Sequence, residues 1–188
     1  MTEQRGFLEK MVEFLNKTSI PYMLSGSMGS ALYGKPRFTN DTDIVIDPTK
    51  EQLLKFLDLL GPDYYVSKDA ALQAFADNSM FNVIDIKFGW KADFIIRKKR
   101  SFSETEFSRR MRASFMGVDV NVVSPEDSIL SKLEWSKDSQ SKQQYDDVIK
   151  ILEVQWDNLD FEYLRKWAKE LDVDDLLEQL LEEVRRLK

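Results

Sequence analysis

Apolar side chains recur along this chain with two different periods, and the change from one to the other divides it. Phe7, Leu8, Met11, Val12, Phe14 and Leu15 fall at helical spacing between charged residues, which predicts an amphipathic helix over Glu3 to Lys17. Ile20 to Leu24 is a short apolar run that feeds Gly26 and reads as a strand. Asp41 to Ile46 is a second strand, closed by Asp47-Pro48. Thr49 followed by Gln52 spells a capping box, and Leu53, Leu54, Phe56, Leu57 and Leu60 form the buried face of the helix it opens. Gly61-Pro62 stops that helix. Tyr64 to Ser67 is a short strand, and Asp69 caps a small helix over Ala70 to Ala76. Met80 to Ile86 and Lys91 to Ile96 flank Lys87-Phe88-Gly89-Trp90 and predict a hairpin. Ser103 with Glu106 reads as another capping box, opening a helix from Glu104 to about Arg110. Ala113 to Phe115 and Val118 to Val123 flank Met116-Gly117 as a second hairpin.

At Ser124-Pro125-Glu126-Asp127 the period changes. Ser124 suits an N-cap, Pro125 the first helical position, and the acids the first turn. Helices are then predicted from Pro125 to about Ser136, Ser141 to Val154, Asp160 to Leu171, and Val173 onward, with Lys137 to Lys142 the most polar hinge candidate. Strand-rich first and helical second implies an α+β class. The expected division is an α+β domain over residues 1–123 and a helical C-terminal region over 124–188 packed on it.

Composition narrows the chemistry. At 188 residues, 43% hydrophobic and 32% charged, the chain can bury a sizeable core. No apolar run is as long as a membrane span, so no membrane partner is expected. The N-terminal stretch carries acids and no small-residue cleavage site, unlike a secretory signal. There is no cysteine, which removes disulfides and thiolate chemistry and fits a reducing cytoplasm. There is no histidine, which removes the commonest general base, the commonest zinc ligand and every Ser-His or Cys-His arrangement. Metal-assisted phosphoryl transfer asks least of the residues that remain, because it rests on positioning and charge stabilisation. A net charge of −6 argues against a general nucleic-acid coat protein.

The densest chemistry lies in Ser25 to Ile46. Asp41 and Asp43 stand one residue apart at the start of a strand, so both point to one face. Carboxylates that close repel unless a cation lies between them, and Mg²⁺ takes such oxygen ligands together with substrate phosphates. Asp is also common at strand starts for turn reasons alone. Gly26 permits a sharp turn and close approach to a ligand, and Ser27 is placed to cap Met28 to Tyr33, a helix start suited to phosphate. Asp93 lies among apolar strand residues, where a carboxylate is costly unless paired; Asp85 competes for the same role. Arg97-Lys98-Lys99-Arg100 and Arg109, Arg110 and Arg112 form either a phosphate-receiving patch or a solvated rim, and Arg37 is better placed for phosphate. Trp135, Trp156 and Trp167 read as packing residues, while Trp90 at a hairpin tip could stack on a base.

The string from Gly26 to Ile44, GSMGSALYGKPRFTNDTDI, resembles the signature of the nucleotidyltransferase superfamily. It looks like the branch of small bacterial and archaeal nucleotidyltransferase-like proteins, which is similar to abortive-infection toxins and minimal nucleotidyltransferases. The likeness extends through Tyr145-Asp146-Asp147-Val148. It implies a mixed sheet with helices on one side. It also implies two Mg²⁺ ions held by Asp41, Asp43 and Asp93, with Asp93 as the base, and nucleotide contacts from Gly26, Ser27, Arg37 and Lys132. A nucleoside monophosphate would pass from a nucleoside triphosphate to an acceptor hydroxyl on a protein, an RNA end or a small molecule. The alternative it carries is a non-enzymatic or partner-regulated member of a toxin–antitoxin-like system, with a cognate antitoxin-like protein. One departure is plain: the basic residue that related segments carry just before the acid of Asp147 is Gln143 or Gln144 here.

Overall fold

The computed structural model describes residues 2–35, 41–139 and 141–187. The first helical pattern closes as α1 (Thr2–Lys17), with Phe7, Leu8, Met11 and Leu15 buried. It leads to β1 (Tyr22–Leu24), the short helix α2 (Gly26–Ser30) and β2 (Asp41–Ile46). Along β2, Thr42, Ile44 and Ile46 are buried on one face while Asp41, Asp43 and Val45 take the other. A slip of one residue would drive both carboxylates into the core, so the register is strongly specified.

The chain continues through α3 (Lys50–Leu60), β3 (Tyr64–Tyr65), α4 (Lys68–Asp77), β4 (Met80–Asp85), β5 (Lys91–Ile96) and α5 (Ser101–Ser108). A hairpin of β6 (Met111–Phe115) and β7 (Val118–Val122) completes a seven-stranded sheet of the described residues, ordered β3-β4-β5-β2-β1-β7-β6. The sheet is mixed: β2 runs parallel to β5 and antiparallel to β1, while β1 runs parallel to β7. At the β6–β7 turn Met116 and Gly117 both have positive φ, 54° and 77°, the combination that matches strand twist in a tight hairpin.

Among the described residues four further α-helices follow: α6 (Pro125–Ser139), α7 (Lys142–Gln155), α8 (Phe161–Glu170) and α9 (Asp174–Leu187). Two apolar clusters result. One joins α1, α3 and α4 to the sheet; the other joins α6 to α9 and takes in Phe102 from α5. Tyr33 packs against both, and its hydroxyl donates to the Val123 carbonyl at 2.8 Å. None of the described helices is long and apolar enough to cross a membrane.

Two of the predicted caps form: Thr49 and Gln52 make the reciprocal capping box, and Ser124 Oγ accepts from Asp127 N–H at 3.1 Å. Asp160, predicted only as a helix start, also caps α8. Three predictions shift. Ser67, not Asp69, caps α4, through Ala70 N–H at 3.2 Å. Ser25, not Ser27, is the N-cap of α2, and its side chain makes no capping bond. The capping box expected at Ser103 and Glu106 does not form, because α5 begins earlier, at Ser101. Both residues are buried instead, Ser103 receiving Arg100 Nε at 3.0 Å and Glu106 the Ser131 hydroxyl at 2.7 Å.

Candidate active site

The parallel pairing of β2 and β5 sets Asp41 opposite Lys91 and Asp43 opposite Asp93. Alternation then puts all four side chains on the face of the sheet away from Thr42 and Ile44. From the other side, β4 sets Asn82 opposite Asp93, and the Asn82 amide donates to Asp93 Oδ1. The Lys91 ammonium bridges Asp93 Oδ2 at 3.0 Å and Asp41 Oδ1 at 3.3 Å. Asp93 is buried, Asp43 half-buried and Asp41 exposed. Asp85, the rival third carboxylate, is spent elsewhere: its Oδ1 accepts the N–H groups of Lys87 and Phe88 at 2.8 and 2.9 Å and closes the hairpin turn.

The turn before α2 is fitted to Asp43. Ser25 N–H donates to the Asp43 carbonyl at 2.9 Å, and Gly26 adopts φ +57°. A Cβ at residue 26 would stand 1.8 Å from Asp43 Oδ2, so only glycine lets the carboxylate lie there. Burial, and then the neighbouring charges of Asp93 and Asp41, hold the Asp43 carboxyl above its ordinary pKa, with Lys132 and Lys91 opposing.

A cavity of about 190 Å³ opens between this turn, the sheet face and the helices α5, α6 and α7. Ser27 lines it beside Gly26 and Asp43; Lys132 and Gln144 line it from the helical side. Lys132 is no solvated helix lysine. It is buried, and Nζ donates to Asp147 Oδ2 and Gln144 Oε1, both at 3.1 Å. Within the polar segment, Asp147 and Gln144 thus turn inward and seat the Lys132 ammonium, while Gln143 and Asp146 stay exposed. Arg37 lies outside the described residues.

Much of the basic patch is engaged by acids. Arg97 reaches Asp47 at 3.0 Å, Arg100 grips both oxygens of Glu134, and Arg109 reaches Glu126 and Asp127 at 3.1 Å each. Arg97, Lys98 and Arg100 nevertheless border the cavity. Trp90 packs half-buried against the sheet core, so it is not a free stacking tip. Trp135, expected to pack, is 59% exposed at the cavity instead. Lys91 and Asn82 were not singled out in the sequence, and Glu106 was read there only as half of a capping box. Lys91 could have been found, since it lies two residues before Asp93 on one strand face; Asn82 needs the strand pairing, and Glu106 the packing of α5 on α6.

Three carboxylates on one side of paired strands are a hard-oxygen donor set of the kind Mg²⁺ takes. As the side chains stand, no group of three acids among the described residues is arranged to hold an ion, and the Lys91 ammonium supplies the cation between Asp41 and Asp93. The donor chemistry fits a divalent ion once that ammonium, whose side chain is 34% exposed, gives way.

No family model matches the chain, and no curated protein sequence matches it. Solved structures do. An antigenic nucleotidyltransferase-like protein from Paracoccidioides brasiliensis is 15% identical, with a TM-score of 0.66 over 100% of this chain and 91% of that one. The antibiotic-resistance factor ANT(2″)-Ia is 13% identical, with a TM-score of 0.57 over 98% and 96%. A lincomycin-bound lincosamide antibiotic adenylyltransferase, LnuA, is 12% identical, with a TM-score of 0.52 over 80% and 96%. At these identities the likeness shows the fold, which is nucleotidyltransferase-like.

Proposed function

We propose that the protein is a Mg²⁺-dependent nucleotidyltransferase that moves a nucleoside monophosphate from a nucleoside triphosphate to an acceptor hydroxyl. The observation that carries this reading is the register that sets Asp43 opposite Asp93 beneath the Gly26 turn. Asp41, Asp43 and Asp93 would hold the metal, which when bound neutralises charge building on the entering and leaving oxygens. Gly26 and Ser27 would receive the triphosphate against Asp43, and Lys132, fixed by Asp147 and Gln144, would set a positive charge beside it. In the reaction the acceptor oxygen bonds to the α-phosphorus, the bond to the β-phosphate oxygen breaks, and pyrophosphate leaves. Asp93, oriented by Asn82, takes the hydroxyl proton. Such a donor belongs to the cytoplasm, where nucleoside triphosphates are held. The fold neighbours that carry lincomycin or adenylyl-2″-tobramycin make small hydroxylated molecules the first acceptors to screen, before proteins and RNA ends.

The test is Asp43→Asn. Because its surroundings disfavour the charged form of Asp43, the variant should be as stable as the parent, or more so, without metal. With Mg²⁺ and a nucleoside triphosphate the parent should melt higher, since a ligand that binds only the native state stabilises it, and the variant should not respond. Transfer of labelled nucleotide should be lost. A variant that melts lower alone and still responds to ligand would make Asp43 a structural residue and leave only the fold.

A further inference from the structure

Of the carboxylates that line the cavity, Asp43 belongs to the phosphate end and Glu134 has both oxygens gripped by the Arg100 guanidinium. Glu106 is the third. It is 8% exposed, comes from α5, and faces the cavity with its Oε1 accepting the Ser131 hydroxyl at 2.7 Å. A carboxylate has about four lone-pair sites, so one hydroxyl leaves most of its accepting capacity unmet. Its place calls for donors from whatever fills the cavity. At about 190 Å³ the space is smaller than the roughly 300–1,000 Å³ pocket of a drug-sized ligand, and suits one ring system. Val45 and Ile95 give it an apolar wall against which a flat ring can lie.

We infer that this cavity receives the nucleobase of the donor nucleotide, that Glu106 reads its Watson–Crick edge, and that the base is guanine. The inference rests on the nucleotidyltransferase reading and names its donor. Guanine presents two adjacent donors, N1–H and the N2 amino group, and a carboxylate accepts both at once. Adenine and cytosine present one amino donor beside an acceptor nitrogen, and uracil a single N3–H between two acceptors. A bidentate pair of this kind is worth about tenfold or more in discrimination. Burial holds the Glu106 carboxyl at a pKa of about 7, with Asp127 and Glu134 raising it and Ser131 and Arg100 lowering it. Above that pH it is the acceptor that guanine needs; below it the protonated acid offers a donor and matches adenine better.

The experiment measures the affinities of GTP, ATP, CTP and UTP with Mg²⁺ at pH 8.5, for the parent and for Glu106→Gln. The amide keeps an acceptor for Ser131, and a thermal melt checks that the variant folds. The parent should prefer GTP over ATP by about tenfold or more. Glu106→Gln should lose about tenfold for GTP while ATP holds or gains, because the amide offers one acceptor beside a donor, the pair that adenine matches. Nucleotide binding without a guanine preference, or a preference untouched by Glu106→Gln, overturns the inference and leaves the function standing. Binding of no nucleotide by the parent overturns both.

Discussion

The absence of one methyl group at residue 26 decides where a carboxylate can sit. Gly26→Ala places a Cβ against Asp43 and forces a positive φ on an L-residue, a conformation that costs about 1–2 kcal/mol by itself. Gly26→Ala should abolish nucleotide binding and destabilise the fold. In an Asp43→Ala background most of the clash is gone, so a double-mutant cycle by thermal unfolding should show a smaller loss there. Equal losses in both backgrounds would mean that backbone strain alone matters. Glu106 gives a second residue-level expectation. Its folded pKa of about 7 lies above the 4.5 of the free side chain, so the folded state binds the extra proton between them. Its contribution to stability is therefore intact below pH 4.5 and is lost as pH rises towards 7, on the order of 3 kcal/mol in all. Glu106→Gln lacks this titration and should gain on the parent between pH 5 and pH 8 in chemical denaturation. Lys91 completes this scale. Lys91→Met removes the ammonium that occupies Asp41 and Asp93, so Mg²⁺ should bind more tightly to the variant in calorimetry. The three aspartates could be named as candidates because strand period singles out Asp41 and Asp43, and the resemblance singles out Asp93, within short stretches. Their partners were not, because Lys91 and Asn82 acquire meaning only when β2, β4 and β5 lie side by side. Glu106 was misread for a related reason: its spacing from Ser103 imitates a cap that burial against α6 overrides.

Between elements, the buried Lys132–Asp147 pair ties α6 to α7 at the wall of the cavity. Removing one member of a buried pair strands the other charge and costs about 3–5 kcal/mol, whereas an apolar replacement of both can be nearly neutral. Asp147→Ala should therefore lower stability by about 3 kcal/mol, and Lys132→Met with Asp147→Leu should recover most of it. On the proposed function the double variant should still fail to bind nucleotide, which separates the structural duty of Lys132 from its proposed phosphate contact; denaturant melts and nucleotide titrations read the two apart. The helices themselves were legible from the period of their apolar faces and from Ser124 and Thr49. The inward turn of Asp147 was not, because a polar helix face and a buried ion pair have the same spelling until a partner helix is known. The α2 cap shows a smaller failure of the same sort: Ser25 and Ser27 are both good caps, and the hydrogen bond from Ser25 N–H to Asp43 selects between them.

At the scale of the whole molecule, a second polar hub joins the end of α5 to α6 and α8. Asp127 is fully buried and receives Tyr163 Oη at 2.6 Å, the Ser124 hydroxyl at 2.7 Å and Arg109 Nε at 3.1 Å, while the Arg109 guanidinium lies 3.9 Å over the Tyr163 ring. Tyr163→Phe leaves a buried carboxylate short of a donor and should cost about 1–3 kcal/mol in thermal unfolding. Nucleotide affinity should hold, because the hub does not line the cavity. The α+β class was legible from the switch of period at Ser124, yet the strand order was not. Each strand is too short and too apolar to name its neighbours, and β1, only Tyr22–Leu24, joins two others across long stretches of chain. That order bears on how the protein is made. As a ribosome delivers the chain from its N-terminus, Asp43 must wait for Asp93, β1 for Val122, and the cavity for Lys132 and then Gln144. Distant pairings of this kind carry their entropic cost before any reward arrives. A nascent chain thus lacks a complete cavity until Gln144 has been delivered, well after the strands that carry Asp43 and Asp93 have emerged.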